Sequence, residues 1–449
     1  MDESVKIPKR ILASLMNSIS AGVVPRLGAP YIAIGRDAEV EALLTDLETV
    51  SEGGGAMRFI IGKYGSGKSF LMQLIRGYAL EKGFLCADAD LSPERRICGA
   101  KGTGIATYRE LIKNLSSKTA PEGGALPQII ARWLSGIRTE LALEGITPEH
   151  PDFERSVSER VYSVARELEN QVGGFDFAHV VMVYHRACEA DDEEKKSACL
   201  RWLRGEYTTK TEAKQAVGVG CVIDDDNWYD YLKLLAVFAG KIGYRGLAVF
   251  IDECVNLYKI PNRISRENNY EKLLSMFNDT LQGRAPGLGL FLGGTPQFLE
   301  DPRRGLFSYE ALRSRLSDGR YAGGTYRNLI GPVIRLRRLS DNELFALIAR
   351  LTRLHAQYYH WEPRVTEADM GTFLGACLSR AGADVMITPR EIIRDYVMVL
   401  NILLQNPETS FAEVLAGGSV TLSHPETAAE QLPGEEAPKQ DFSLADLDF

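Results

Sequence analysis

Histidine is scarce in this chain, with six among 449 residues, and neither these nor the seven cysteines fall at metal-ligand spacing. There is no C-x-x-C pair, so neither a zinc site nor a disulfide framework is expected. Cys86, Cys98, Cys188, Cys199, Cys221, Cys254 and Cys377 read as reduced packing thiols, and no chemical role falls to a histidine. No apolar run approaches the roughly 18 residues of a membrane helix. The opening MDESVKIPKRIL lacks the apolar core of a signal peptide, so a cytoplasmic chain without membrane contact is expected. No repeat of fixed period is present. What remains is an ordinary globular composition, 45% hydrophobic and 25% charged, with room for two or three domains.

The net charge of −8 is unevenly spread. Residues 421–449 carry seven acids against Lys439, which leaves the rest nearly neutral, while residues 301–340 carry nine arginines against Asp301, Glu310 and Asp318. An acidic chain argues against general coating of nucleic acid, but a local basic surface could still grip a phosphate backbone.

The strongest signal is GKYGSGKS, Gly62, Lys63, Tyr64, Gly65, Ser66, Gly67, Lys68 and Ser69, which fits G-x-x-x-x-G-K-[ST] at every fixed position. Met57–Ile61 before it reads as a buried strand. Phe70, Leu71, Leu74, Ile75 and Tyr78 after it repeat at helical spacing, with Phe70 bordering the nucleotide. A glycine-rich turn between strand and helix lets backbone amides face an anion, Lys68 reach the outer phosphates and the Ser69 hydroxyl hold Mg2+. ATP and Mg2+ are therefore the expected ligands.

Further strands are expected at Phe84–Ala89, Leu247–Ile251, Leu288–Leu292 and Val333–Leu336, alternating with helical stretches, which implies an α/β parallel sheet flanked by helices. About 150 residues without strand signal separate the second strand from the third, far more than one crossover helix needs. Helices are expected there at Leu126–Leu143, Phe153–Val172 and Phe177–Cys188. The organisation that follows is an N-terminal helical segment (1–34), a P-loop core in two parts (35–115 and 241–338), a helical insertion (116–240), a C-terminal helical lid (339–416) opened by the Ser340/Glu343 capping pair, and a disordered acidic tail (417–449). The tail ends in DFSLADLDF, which could dock into a partner groove or be mere tail composition.

The third strand ends in Asp252 and Glu253, where a parallel sheet binds its ligand. Asp252 can orient the metal and Glu253 can polarise the attacking water, making this a Walker B pattern. Thr295, in GGTPQF, either senses the γ-phosphate or belongs to a plain turn. Arg390, in TPRE, either swings onto bound nucleotide or is a surface arginine in a first turn. Arg313 and Arg315 are candidates for a finger reaching a neighbouring subunit's nucleotide, for contact with nucleic acid, or for solvated helix positions. Gly35 and Arg36 either border the base and ribose or pack against the lid.

The order GRDAEVEALL, GKYGSGKS, LAVFIDE, GGTP, a capped lid helix and TPRE resembles AAA+ and STAND P-loop ATPases. More narrowly, GVVPRLGAPYIAIGRD, LRWLRGEYTTKTEAK, GYRGLAVFIDECVNLYKI, NYEKLLSMFNDTLQGR and GGTPQFLEDPRRGLFSYEALRSRL are similar to the BrxD-type ATP-binding proteins of bacterial BREX phage-exclusion systems, over most of residues 8–400. The resemblance implies an AAA+-like ATPase in a cytoplasmic defence complex, with homo-oligomerisation, other defence proteins and double-stranded DNA as expected partners. The competing expectation is a nucleotide-gated switch or scaffold with little turnover and no direct DNA contact.

Overall fold

A computed structural model describes residues 7–99, 101–169, 171–317, 328–378 and 388–417; the acidic tail with its DFSLADLDF ending lies outside them. Five strands form one sheet: β1 Ala56–Ile61, β2 Leu85–Asp90, β3 Leu247–Asp252, β4 Leu288–Gly294 and β5 Val333–Arg335. Their order is β2-β3-β4-β1-β5, and every pairing is parallel. All five arise where short apolar runs stand in the sequence. β2 and β3 run on to Asp90 and Asp252, because those two acids are register partners at the ladder's end.

A sheet of this kind must be covered on both faces. On one face Ile60, Cys86, Ala248, Phe250, Phe291 and Ile334 pack against the helices Asp37–Ser51 and Lys68–Glu81, with Phe250 and Phe291 stacked at 5.1 Å. On the other, Phe59, Leu85, Ala87, Val249, Ile251, Leu290 and Leu292 share one continuous core with helices that lie between β2 and β3.

Seven helices occupy that stretch among the described residues, from Thr103–Lys113 to Trp228–Lys241. Leu126–Leu143 lies where its spacing placed it, while the next helix stops at Glu169 and another begins at Gly174. The insertion is thus a layer of the sheet's own core rather than a separate body. Trp133 and Phe177 both meet Phe238 edge-on, at 5.2 and 5.6 Å, tying three of the helices together. Asp225 ties its end back to the strand loops by accepting the amides of Gly102, Gly104 and Ile105 at 2.7, 2.8 and 2.8 Å.

After β5 the chain forms helices Asp341–Tyr359, Glu367–Leu378 and Pro389–Gln405. Ser340 and Glu343 form the expected capping box, and Thr388 with Glu391 forms a second one. The N-terminal helix Lys9–Ser20 buries Leu12, Leu15, Met16 and Ile19, an i, i+3, i+4, i+7 stripe, against Leu347, Ile348, Tyr396 and Leu400. The N-terminal helix thus forms one side of the C-terminal helical layer. Among the described residues, no helix is long and apolar enough to cross a membrane.

Candidate functional site

The loop Gly62–Gly67 leaves β1 and turns into the helix Lys68–Glu81 through Gly67, whose φ of 87° is left-handed. The first-turn amides of a helix have no partners within it, so they face whatever lies before the turn. Lys68 Nζ folds back over the loop, donating to the carbonyls of Gly62 at 3.0 Å and Lys63 at 3.3 Å. Burial lowers its pKa, against the opposing pull of Asp252 and Glu253.

β4 lies between β1 and β3 and joins their ends. Gly294 O accepts the Gly62 amide at 3.1 Å, and Gly293 O accepts the Cys254 amide at 3.0 Å. Gly293 has no room for a side chain, since a Cβ there would run into the Asp252 carboxylate and Met72 Sδ. Ser69 Oγ donates to Asp252 Oδ2 at 2.6 Å, while the Glu253 amide donates to Asp252 Oδ1 at 2.8 Å. Both carboxylate oxygens are thereby fixed.

Glu253 itself has a φ of 56°, a left-handed conformation that costs a non-glycine residue about 1–2 kcal/mol. Burial and the neighbouring Asp252 push its carboxyl upward, and Lys68 pulls the other way. Asp90, at the end of β2 beside Asp252, is likewise raised by burial, then by Asp252 and Asp88. The sequence reading passed over Asp90; the cue was its place at the end of the LCADAD run, level with the acids of LAVFIDE.

A cleft of about 280 Å³ opens between this loop and the C-terminal helices. Its polar end is Tyr64 to Ser69 with Glu253, and its apolar end is formed by Ile19, Val23, Pro25, Ile32, Leu347 and Ile393. Phe70 and Arg390 also line it. Arg390 is exposed and has no hydrogen-bond or ion-pair partner among the described residues. Thr388, just before it, sits against the loop so closely that a Cβ at Gly65 would strike its side chain, and Gly65 takes a left-handed φ of 72°. The wall supplied by Val23 to Pro25 was not foreseen, since nothing local marks an N-terminal segment as neighbour to residue 390.

Arg36 lines the cleft, yet its guanidinium is engaged elsewhere. It is 4% exposed and donates to Ser66 O and Arg337 O, each at 2.8 Å, with Glu39 alongside at 3.5 Å. Burial lowers its pKa, with Glu39 opposing. It therefore positions the loop backbone. Gly35 does not line the cleft; a Cβ there would collide with Glu343 of the capped helix, so its place is the packing one.

Thr295 does not line the cleft either. It caps the short helix Pro296–Glu300 by accepting the Phe298 amide at 3.3 Å, immediately after the β4 glycines that hold the loop. Arg313 and Arg315 are exposed on the helix Glu310–Leu316 and do not line the cleft of their own chain. Arg313 pairs with Glu310 at 3.6 Å, and Arg315 donates to Asn278 Oδ1 at 3.2 Å. Of the nine arginines in 301–340, Arg320 and Arg327 lie outside the described residues. Arg335 pairs with Glu300 at 2.9 Å and Arg337 pairs with Glu343, so two of the described arginines are matched by acids just outside the stretch.

Taken together, one edge of the sheet holds an amide-lined loop, a cation, a hydroxyl bonded to a carboxylate, and a second carboxylate held in a strained turn. Such a set can cradle a polyphosphate, hold a hard divalent cation through oxygen donors and polarise a water. A family model described as "BREX system ATP-binding protein BrxC/D" matches residues 7–418 of the chain. No curated protein matches it.

Proposed function

The chain belongs to the BREX system ATP-binding protein BrxC/D family, and from that membership we propose that it is a Mg2+-dependent ATPase of AAA+-like build. Its nucleotide state controls binding to other defence proteins or to duplex DNA. The contact that carries this reading is Ser69 Oγ to Asp252 Oδ2 at 2.6 Å. The Ser69 hydroxyl and the Asp252 carboxylate are hard oxygen donors of the kind Mg2+ prefers, and these two residues would hold the ion. When bound, the ion neutralises charge developing on the phosphates.

The chain's own residues divide the remaining work. Lys68 exchanges the loop carbonyls for the outer phosphate oxygens, and Glu253 orients the attacking water and accepts its proton. Arg390 turns onto the phosphates as the C-terminal helices close, acting as a lid. Thr295 reports the γ-phosphate through the β4 end that joins the two Walker elements. Arg313 and Arg315, which do not line their own cleft, act on a neighbouring subunit's nucleotide in a homo-oligomer.

Glu253→Gln tests the assignment: ATP is retained, and turnover falls about 100-fold or more. Unchanged turnover would reject it. A second reading, a nucleotide-gated switch with little turnover, is favoured by one feature, the seating of Thr388 on Gly65, which couples loop occupancy to the lid without hydrolysis. Slow turnover that neither duplex DNA nor a partner protein stimulates selects that reading.

A further inference from the structure

A second cavity, about 500 Å³, shares no lining residue with the nucleotide cleft. It lies between the loop that follows β2 and the insertion, and four cations border it from three segments. Arg95 comes from the turn Ser92–Arg95, closed by reciprocal backbone bonds just beyond Asp90. Arg109 and Lys113 stand an i, i+4 step apart on the helix Thr103–Lys113, which places them on one face. Arg204 follows the helix Glu193–Leu203, within the WLRGE stretch.

The counter-charge is incomplete. Glu110 serves two of these cations, Arg95 at 3.4 Å and Lys113 at 3.6 Å. Glu206 is turned to Arg201, 3.9 Å away and not part of the lining. Arg109 uses Nε on the Gly205 carbonyl at 2.7 Å, and the Arg204 side chain has no partner among the described residues. Arg95 Nε is buried without a hydrogen bond. Arg95, Arg109 and Arg204 are all half-buried. Four cations border the cavity against two lining carboxylates, Glu110 and Glu206, and partial desolvation strengthens the repulsion within that positive excess. An anion with several oxygens relieves that excess, because each guanidinium offers a planar fork of donors.

We propose that this cavity is a second anion site, which binds phosphate groups independently of the nucleotide cleft. The phosphate group belongs either to a nucleic-acid backbone or to a small phosphorylated compound.

The test uses the full chain with its cleft saturated by a non-hydrolysable ATP analogue and Mg2+, titrated with inorganic phosphate and, separately, with a short labelled duplex DNA. Phosphate binds in a saturable manner, and Arg204→Glu and Lys113→Glu each weaken it about tenfold or more. Affinity for the ATP analogue and the melting temperature stay as in the wild type. Lys113 is 72% exposed, so its reversal preserves the fold even if that of Arg204 does not. A duplex that binds, is displaced by phosphate and is lost in the same variants identifies the backbone as the source; phosphate binding without duplex binding identifies a small compound. The proposal is overturned if the wild type takes up neither ligand, or if both charge reversals leave the affinities unchanged.

Discussion

The Ser69 hydroxyl donates to Asp252 Oδ2 at 2.6 Å, although the two residues lie 183 positions apart. Because β4 is inserted between β1 and β3, this bond spans the width of one strand and brings the two ends of the site into register. Ser69→Ala and Asp252→Asn should each weaken Mg2+-dependent ATP binding about 10- to 100-fold, the range of a hydrogen bond to a charged partner. Both changes break one shared arrangement, so the double variant should lose little more than either single. Fully additive losses in a titration of the four proteins would show that the two side chains act separately.

Arg36 offers a different kind of test, since its fork holds Ser66 O and Arg337 O at once. Lysine cannot reproduce a planar two-point hold, and it would leave a buried carbonyl and Glu39 poorly matched. Arg36→Lys should lower stability by about 1–3 kcal/mol and also weaken ATP binding, because the loop backbone loses its anchor. Thermal melting read beside ATP titration checks this. If affinity for ATP is unaffected while stability drops, Arg36 supports the fold without shaping the loop.

Much of the fold was legible because its signals are local. Five apolar runs became five strands, the glycine loop stands between β1 and its helix, and Ser340 with Glu343 caps where the motif said. What was not legible depends on pairings between distant segments. Parallel register alone sets Asp90 beside Asp252. Leu15 and Leu400 share a core although one belongs to an N-terminal stripe and the other sits near the C-terminus. Linear charge counting over residues 301–340 could not show that Arg337 pairs with Glu343, which lies outside that window. Helical spacing could not say whether the insertion stood apart, since an apolar stripe looks the same whether it faces other helices or a sheet.

Asp225 is the clearest case of such a distant tie, with three backbone amides aimed at one carboxylate. Asp225→Asn keeps one acceptor but turns an amide NH2 toward N–H donors and removes the charge that strengthens these bonds. A loss of about 2–3 kcal/mol is expected in urea unfolding, read as a lower midpoint with unchanged slope. A midpoint equal to wild type would mean that solvent replaces the carboxylate at no net cost.

His355 sets a pH dependence whose sign follows from its partners. It is fully buried, Trp361 Nε1 donates to its Nδ1 at 2.9 Å, and Nε2 meets Asn401 Oδ1 at 3.0 Å. Indole is only a donor, so Nδ1 must accept and Nε2 carries the proton, which makes the ring neutral. Burial lowers its pKa below the ordinary 6.5, with the Asn401 bond opposing. His185, also buried and lowered by burial, behaves alike. Below 6.5 the unfolded chain takes up protons that these rings refuse in the folded state, so stability rises with pH there. The contribution is complete above 6.5 and is lost as pH falls toward the folded-state value. Each ring adds at most about 1.4 kcal/mol per pH unit to that slope. His355→Gln should flatten the fall in stability between about pH 6.5 and pH 5, relative to its own value at neutral pH. Parallel denaturation curves for the two proteins across that range would show that His355 titrates alike in both states, and the neutral-ring assignment would fail.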